Sequence, residues 1–291
     1  MKMHDNEVEV PAHLVRRLLE EQFPEWAGLP LTRVPSYGTD NVLYRLGDEL
    51  LVRLPKIDWA TEQIPLEVEL LPRLAPLLPV EIPEILALGE AALGYPWTWA
   101  VYRWIDGAQP KVGTDVLARD LATFVAALQR VDTAGARAGA SRGGPLSLRD
   151  ANTRAALAQL DGEIDVEAAT AAWEAALDTP PWPHEPVWLH GDLLEGNLLV
   201  RDGRLCGVID WGAACAGDPA FDYHIAWSLL APVRDEFRAA CGVDDDTWAR
   251  ARGLALSQAL IALPYYLETS PPIVARSRLV IREVLGDAAP A

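Results

Sequence analysis

The sequence predicts an α+β protein of two lobes. A small lobe of β-sheet and helix spans residues 1–104, a larger and mostly helical lobe spans 105–291, and a linker lies at about 103–110. Three observations predict this. Strand-like and helix-like apolar patterns alternate through the first third of the chain. The run Ile105-Asp-Gly-Ala-Gln-Pro110 has the composition of a linker. Beyond it, apolar residues recur almost throughout at helical spacing. At 291 residues, half of them hydrophobic and 23% charged, the chain can bury a sizeable core and suits one two-lobed enzyme.

In order along the chain, Leu14, Leu18, Leu19 and Phe23 predict a helix over 12–23. Residues 42–46 and 50–54, separated by a Gly47-Asp48 turn, predict a β-hairpin. Thr61 is the expected N-cap of a helix bearing Ile64, Val68, Leu71, Leu74 and Leu78, with Pro72 as a kink or break. A strand pair follows at 85–88 and 97–104. In the second lobe, Leu117, Leu121, Phe124, Val125 and Leu128 form one helical stripe. The small, Gly-rich segment 135–145 reads as a mobile loop. Ala-rich helices follow within 150–160 and 166–177, then short strands at 187–189, 198–200 and 205–209. Helices are expected at 220–230, 235–241, 246–263 and 273–285.

Composition narrows the function. A formal net charge of −17 makes nucleic acid a poor partner, because phosphate binding needs clustered Lys and Arg. Such a charge suits a cationic small molecule, although solubility alone also accounts for it. The three cysteines, Cys206, Cys215 and Cys241, form no CxxC pair and indicate neither a disulfide framework nor a zinc site. Residues 1–11 are polar and acidic rather than signal-like, and no apolar run reaches membrane-spanning length. No membrane partner is expected, and the compartment read from these features is the cytoplasm.

The chemistry concentrates in His190-Gly-Asp192-Leu-Leu-Glu-Gly-Asn197, followed by Ile209-Asp210-Trp-Gly212. Phosphoryl transfer needs a carboxylate to orient the attacking hydroxyl and oxygen ligands for Mg²⁺ on the nucleotide phosphates. The kinase pattern H-R-D-L-x-x-x-N sets its Asn five residues after its Asp, and D-F-G follows. Asp192 and Asn197 have that spacing, Leu193 matches the Leu, and Asp210-Trp211-Gly212 stands where D-F-G would. Asp and Asn after a strand are also ordinary turn residues, so the weight lies on the joint pattern.

Extended to Asn197-Leu-Leu-Val, Val208-Ile-Asp-Trp-Gly and Gly217-Asp-Pro-Ala-Phe-Asp222, this run resembles the aminoglycoside phosphotransferase family, which includes macrolide kinases. The resemblance implies a protein-kinase-like bilobal fold and transfer of a γ-phosphoryl group from ATP, or GTP, to a small-molecule hydroxyl. It implies Asp192 as the catalytic base, Asn197 and Asp210 as Mg²⁺ ligands, and Asp222 as a buried carboxylate holding the catalytic loop. His190 reads as a brace for that loop rather than a proton shuttle, since Asp192 already fills the role of base.

The nucleotide side is less sharply marked. G-x-G-x-x-G is absent, and Ser36-Tyr-Gly-Thr-Asp-Asn41 is the family-like substitute, with Gly38 permitting close approach and Thr39 offering a hydroxyl; a plain β-turn is the other reading. Arg53 stands where the family resemblance expects a phosphate-binding Lys. Glu67, on the side of Leu71 and Leu74, is its expected partner, against the alternative of a solvated Glu. By resemblance, the carbonyl of Arg103 and the N–H of Ile105 face adenine, with Trp97, Trp99, Tyr102 and Trp104 as lining or as core. For the acceptor, an aminoglycoside-type polycation is expected to need carboxylates, and Glu195 and Glu268 are the best placed. A macrolide, or a choline- or homoserine-like metabolite, remains open. A non-catalytic nucleotide binder and a metal-dependent hydrolase are the rival classes.

Overall fold

The computed structural model describes residues 7–35 and 40–287. It divides into two compact units, one of Met1–Ala108 with Cys206–Gly212 and one of Gln109–Leu205 with Ala213–Ala291. The first unit contains α1 (Ala12–Gln22), β1 (Leu31–Arg33), β2 (Asn41–Leu46), β3 (Leu50–Pro55), α2 (Gln63–Leu74), β4 (Ile85–Gly89) and β5 (Trp99–Arg103). The strands form an antiparallel sheet in the order β1-β2-β3-β5-β4. Its centre is the expected hairpin, with Val42 opposite Leu54 and Leu46 opposite Leu50.

Strand alternation gives this sheet two apolar faces. Val42, Tyr44, Leu46, Val52, Leu54, Trp99 and Val101 pack with Val15, Leu18 and Leu19 of α1. The residues between them, Leu51, Ala100 and Tyr102, pack with Ile64 of α2. Helix α2 buries Ile64, Glu67, Leu70, Leu71 and Leu74, a stripe at helical spacing, and Pro72 lies within its last turn. Its start differs from the expected one. Thr61 ends a short 3₁₀ turn and spends its hydroxyl on the Asp58 carbonyl, so it does not cap α2. Leu78 lies beyond the helix in extended backbone.

The second unit carries α3 (Asp115–Gln129), α4 (Asp150–Leu157), α5 (Val166–Leu177), β6 (Val187–Leu189), β7 (Leu198–Arg201), the start of β8 (Arg204–Val208), β9 (Cys215–Gly217), α6 (Arg234–Cys241), α7 (Asp245–Tyr266) and α8 (Pro271–Gly286). Strand β8 runs into Cys206–Gly212, which the sequence assigns to the second lobe but which clusters with the first unit. Its Cys206 carbonyl accepts from Glu81 N–H, and Val208 N–H donates to the Glu81 carbonyl. Thr114, Asp165 and Asp244 cap α3, α5 and α7 through their side chains. No helix among the described residues is long and apolar enough to cross a membrane.

Two expectations for the second unit are corrected. The segment Pro219–Trp227 is a 3₁₀ run rather than an α-helix, started by Asp218, whose carboxylate accepts from Ala220 N–H and pairs with Arg250 at 2.6 Å. The segment 135–145, expected as a mobile loop, is tied down by backbone bonds: Gly139 N–H to the Ala216 carbonyl, Ala216 N–H to Arg137, and Asp218 N–H to Gly143. Small residues serve close packing here. A Cβ on Gly217 would lie 2.4 Å from the Gly143 carbonyl oxygen.

Two stability predictions follow from this packing. Gly217→Ala should cost roughly 1–3 kcal/mol of stability, the cost of overpacking against backbone, read as a lower urea midpoint with unchanged m; an unchanged midpoint would show that the loop yields freely. His224 is buried, and burial pushes its pKa down from 6.5 to about 4. The unfolded imidazole therefore binds a proton that the folded one refuses, so His224 costs stability as pH falls from about 6.5 to about 4. The stability difference between the wild-type protein and His224→Gln should shift against the wild type across that window, measured by denaturation at stepped pH.

Candidate active site

In the first unit the site grows from β3. Alternation turns Val52 and Leu54 toward α1 and Arg53, paired in register with Ala100, toward α2. There Arg53 Nη1 donates to Glu67 Oε1 at 2.6 Å, and Nη2 donates to Asp210 Oδ1 at 3.2 Å and to Gln63 Oε1. Glu67 is fully buried and saturated, accepting also from the Tyr102 hydroxyl at 2.6 Å and from Trp211 N–H at 3.2 Å. The expected Arg53–Glu67 partnership is thus present. Burial alone would lower the Arg53 pKa, but the Glu67 and Asp210 carboxylates outweigh it and hold the guanidinium charged. Burial, with Glu67 beside it, raises the Tyr102 hydroxyl well above its ordinary range. Asp210 itself has a positive φ of 65°, and its side chain is 43% exposed.

In the second unit the chain leaves β6 through His190 and Gly191 to Asp192. Asp222, fully buried in the 3₁₀ run, accepts from the N–H groups of His190 at 2.7 Å and Gly191 at 2.9 Å. Its pKa is pushed up to about 7, because burial outweighs those two donors. His190 Nδ1 accepts from Asp192 N–H at 3.2 Å, which makes the buried imidazole a brace across the turn. Gly191 has a φ of 77°, and a Cβ there would sit 2.4 Å from the Ala213 carbonyl oxygen, so the Arg of protein kinases has no room at this position.

Both oxygens of Asp192 are held. Asn197 Nδ2 donates to the Asp192 carbonyl at 2.8 Å and to Oδ2 at 3.1 Å. Arg142 Nη1 donates to the Gly191 carbonyl at 2.7 Å and to Asp192 Oδ1 at 3.1 Å. The Asn197 amide nitrogen is thereby spent inside the loop. Asp192 also borders a cavity of about 490 Å³, whose wall includes Arg142, Arg149, His224, Tyr265 and Arg276. A carboxylate fixed at the edge of such a cavity can orient a hydroxyl and take its proton.

The other expected residues are placed as follows. Gly38 and Thr39 lie outside the described residues. Arg103 is exposed and pairs with Glu84 at 2.6 Å, while Ile105 is buried. Trp99 and Tyr102 are core, Trp97 packs on that core, and Trp104 lies under the Arg45 guanidinium at 4.6 Å. Glu195 lies 3.7 Å from Arg276, and Glu268 is not part of the cavity wall. The sequence reading sought acids for the acceptor and missed Arg142, Arg149 and Arg276. These arginines sit in no periodic pattern or motif, and only the packing of 135–150 and α8 around Asp192 reveals them.

Comparison with known proteins sets this geometry in context. A sequence model described as "APH: Phosphotransferase enzyme family" matches residues 32–254. The uncharacterized protein YcbJ of Bacillus subtilis (strain 168) is 29% identical over 164 residues, 52% of this chain and 51% of that protein, so the chain spans about half the length of this curated relative. The GDP and kanamycin complex of APH(2")-IIia superposes with a TM-score of 0.76 at 19% identity, over 96% of this chain and 100% of that one. The apoenzyme of macrolide 2'-phosphotransferase MphH from Brachybacterium faecium superposes with a TM-score of 0.63 at 24% identity, over 92% and 97%. The fold is therefore the α+β, kinase-like fold of these enzymes, and with its family match over most of its length the chain belongs to the phosphotransferase enzyme family.

Proposed function

We propose that this protein transfers the γ-phosphoryl group of Mg-ATP to a hydroxyl of a small molecule. The observation that carries this reading is the Asp192 carboxylate, gripped at both oxygens by Arg142 and Asn197 on a loop pinned by Asp222, at the edge of a cavity. A hydroxyl placed beside Asp192 is oriented by the carboxylate and gives up its proton to it as the oxygen attacks phosphorus. Little covalent work falls to the protein in such a reaction, so rate comes from positioning and charge. The fixed loop supplies the positioning. Arg53, kept charged by Glu67 and Asp210, supplies a cation for phosphate.

Magnesium prefers oxygen donors and keeps several waters, so it needs few protein ligands. The residues present fit it by chemistry: the Asn197 amide oxygen and the Asp210 carboxylate, whose side chain is 43% exposed, are hard oxygen donors. When bound, the metal neutralises charge on the nucleotide phosphates. Guanine nucleotide is the other donor to test, since APH(2")-IIia binds GDP. The kanamycin in that complex and the macrolide in the name of MphH support a hydroxylated small molecule as acceptor.

Mg-ATP turnover, followed as ADP release over a panel of hydroxylated acceptors, tests the reading. Asp192→Asn should lower turnover by about 10²–10⁴-fold with nucleotide affinity nearly unchanged. Asp210→Ala should weaken both nucleotide binding and turnover. Retained turnover in a folded Asp192→Asn variant would remove that residue from catalysis.

A further inference from the structure

The cavity beside Asp192 has a charge that the chain as a whole does not. The sequence carries a net charge of −17, yet three arginines, Arg142, Arg149 and Arg276, line the cavity against one carboxylate, that of Asp192. Two of the three have acidic neighbours: Arg142 lies 3.1 Å from Asp192 and Arg276 lies 3.7 Å from Glu195. Arg149 has none. Its Nε donates to the Ser257 hydroxyl at 2.9 Å and its Nη1 to the Ser141 carbonyl at 3.0 Å, both neutral acceptors. No carboxylate pairs with it among the described residues, and its Nη2 is left over.

A half-buried cation without a counter-ion is costly, and burial together with the nearby charge of Arg142 lowers the Arg149 pKa to about 10. The group nonetheless stays charged at neutral pH. A guanidinium fork in that state matches a carboxylate or a phosphate. A second polar group in the same wall also lacks a partner. The buried imidazole of His224 engages the Phe221 carbonyl through Nδ1 at 2.5 Å, and its Nε2 has no hydrogen bond. With Nδ1–H donated to that carbonyl, Nε2 is an acceptor suited to a ligand hydroxyl.

We propose that Arg149, flanked by Arg142 and Arg276, is an anion subsite of the acceptor cavity, and that the acceptor is a hydroxylated carboxylate or phosphate rather than a polycation. This rests on the phosphotransferase reading of Asp192, because it makes the cavity the acceptor's.

Calorimetric titration of the full chain with a matched set tests it: D-glucuronate, D-glucose 6-phosphate, D-glucose, D-glucosamine and kanamycin. At least one anion should bind tenfold or more tighter than glucose and glucosamine, with glucuronate assigning a carboxylate ligand and the phosphate ester a phosphate. Arg149→Gln should abolish that preference, Arg149→Lys should retain part of it, and added salt should weaken it. Should Arg149→Gln not fold, Arg276→Glu carries the same expectation, since a loose contact to Glu195 is all that its side chain makes among the described residues. The proposal is overturned if no anion outbinds its neutral and cationic partners, if kanamycin binds most tightly, or if the preference survives in both variants. ADP release over the same set separates the two readings. Anion binding without release in any case removes the phosphotransferase reading and leaves the subsite. Release driven by kanamycin, indifferent to Arg276→Glu, does the reverse.

Discussion

Asp222 has no access to solvent, and two consecutive backbone N–H groups converge on its carboxylate. Burial disfavours its charge and the two donors favour it, and the balance leaves the pKa raised. Those two bonds hold the turn in which Gly191 takes its left-handed conformation, and the turn sets the direction in which Asp192 leaves β6. From there the order propagates outward. His190 braces the Asp192 N–H, Asn197 reaches back to the Asp192 carbonyl, and Arg142 closes on the Gly191 carbonyl. Asp222 is itself positioned by the 3₁₀ run that Asp218 caps and Arg250 clamps. A buried carboxylate is an expensive way to hold a loop, but it fixes two donors at once, and a reaction that depends on positioning needs that rigidity.

The first unit solves a similar problem with an ion pair. Arg53 and Glu67 are both buried, and pairs of this kind add little net stability because desolvation offsets their attraction. What they contribute is geometry. Tyr102, Arg53 and the Trp211 N–H converge on one carboxylate, so β3, β5, α2 and the segment after β8 are set relative to one another within the unit. Asp210, one residue before Trp211, is thereby held in its unusual backbone conformation with its side chain open to solvent. The sheet makes this possible, since its period of two sends apolar neighbours of Arg53 to α1 and Arg53 itself to α2.

The cavity beside Asp192 follows a different logic. The family match supports the phosphoryl chemistry proposed for Asp192, but the same fold serves acceptors of different kinds, so the cavity wall has to be read on its own terms. In this chain the wall draws on 141–149 and on α7 and α8, and it gathers arginines in an otherwise acidic protein. Net charge therefore says nothing about the local field at the site. The acids picked out as cation ligands are Glu195, which is near an arginine, and Glu268, which lies outside the wall.

The sequence by itself determined the strand pair 42–54, the helical stripes and the spacing of Asp192, Asn197 and Asp210, because each rests on residues close together in the chain. Glu67 belongs with these, since its place on the apolar stripe of α2 can be counted off. Other features were out of reach for one physical reason: they depend on contacts between distant segments. Strands of three residues such as β1 and β9 carry no periodic signal. The Gly-rich segment 135–145 reads as loose until its backbone finds β9. The allegiance of Cys206–Gly212 to the first unit depends on Glu81, more than a hundred residues earlier. Arg142, Arg149 and Arg276 are unremarkable surface cations in the sequence. Only the tertiary fold, by bringing a loop, a turn and a C-terminal helix around one carboxylate, makes them a site.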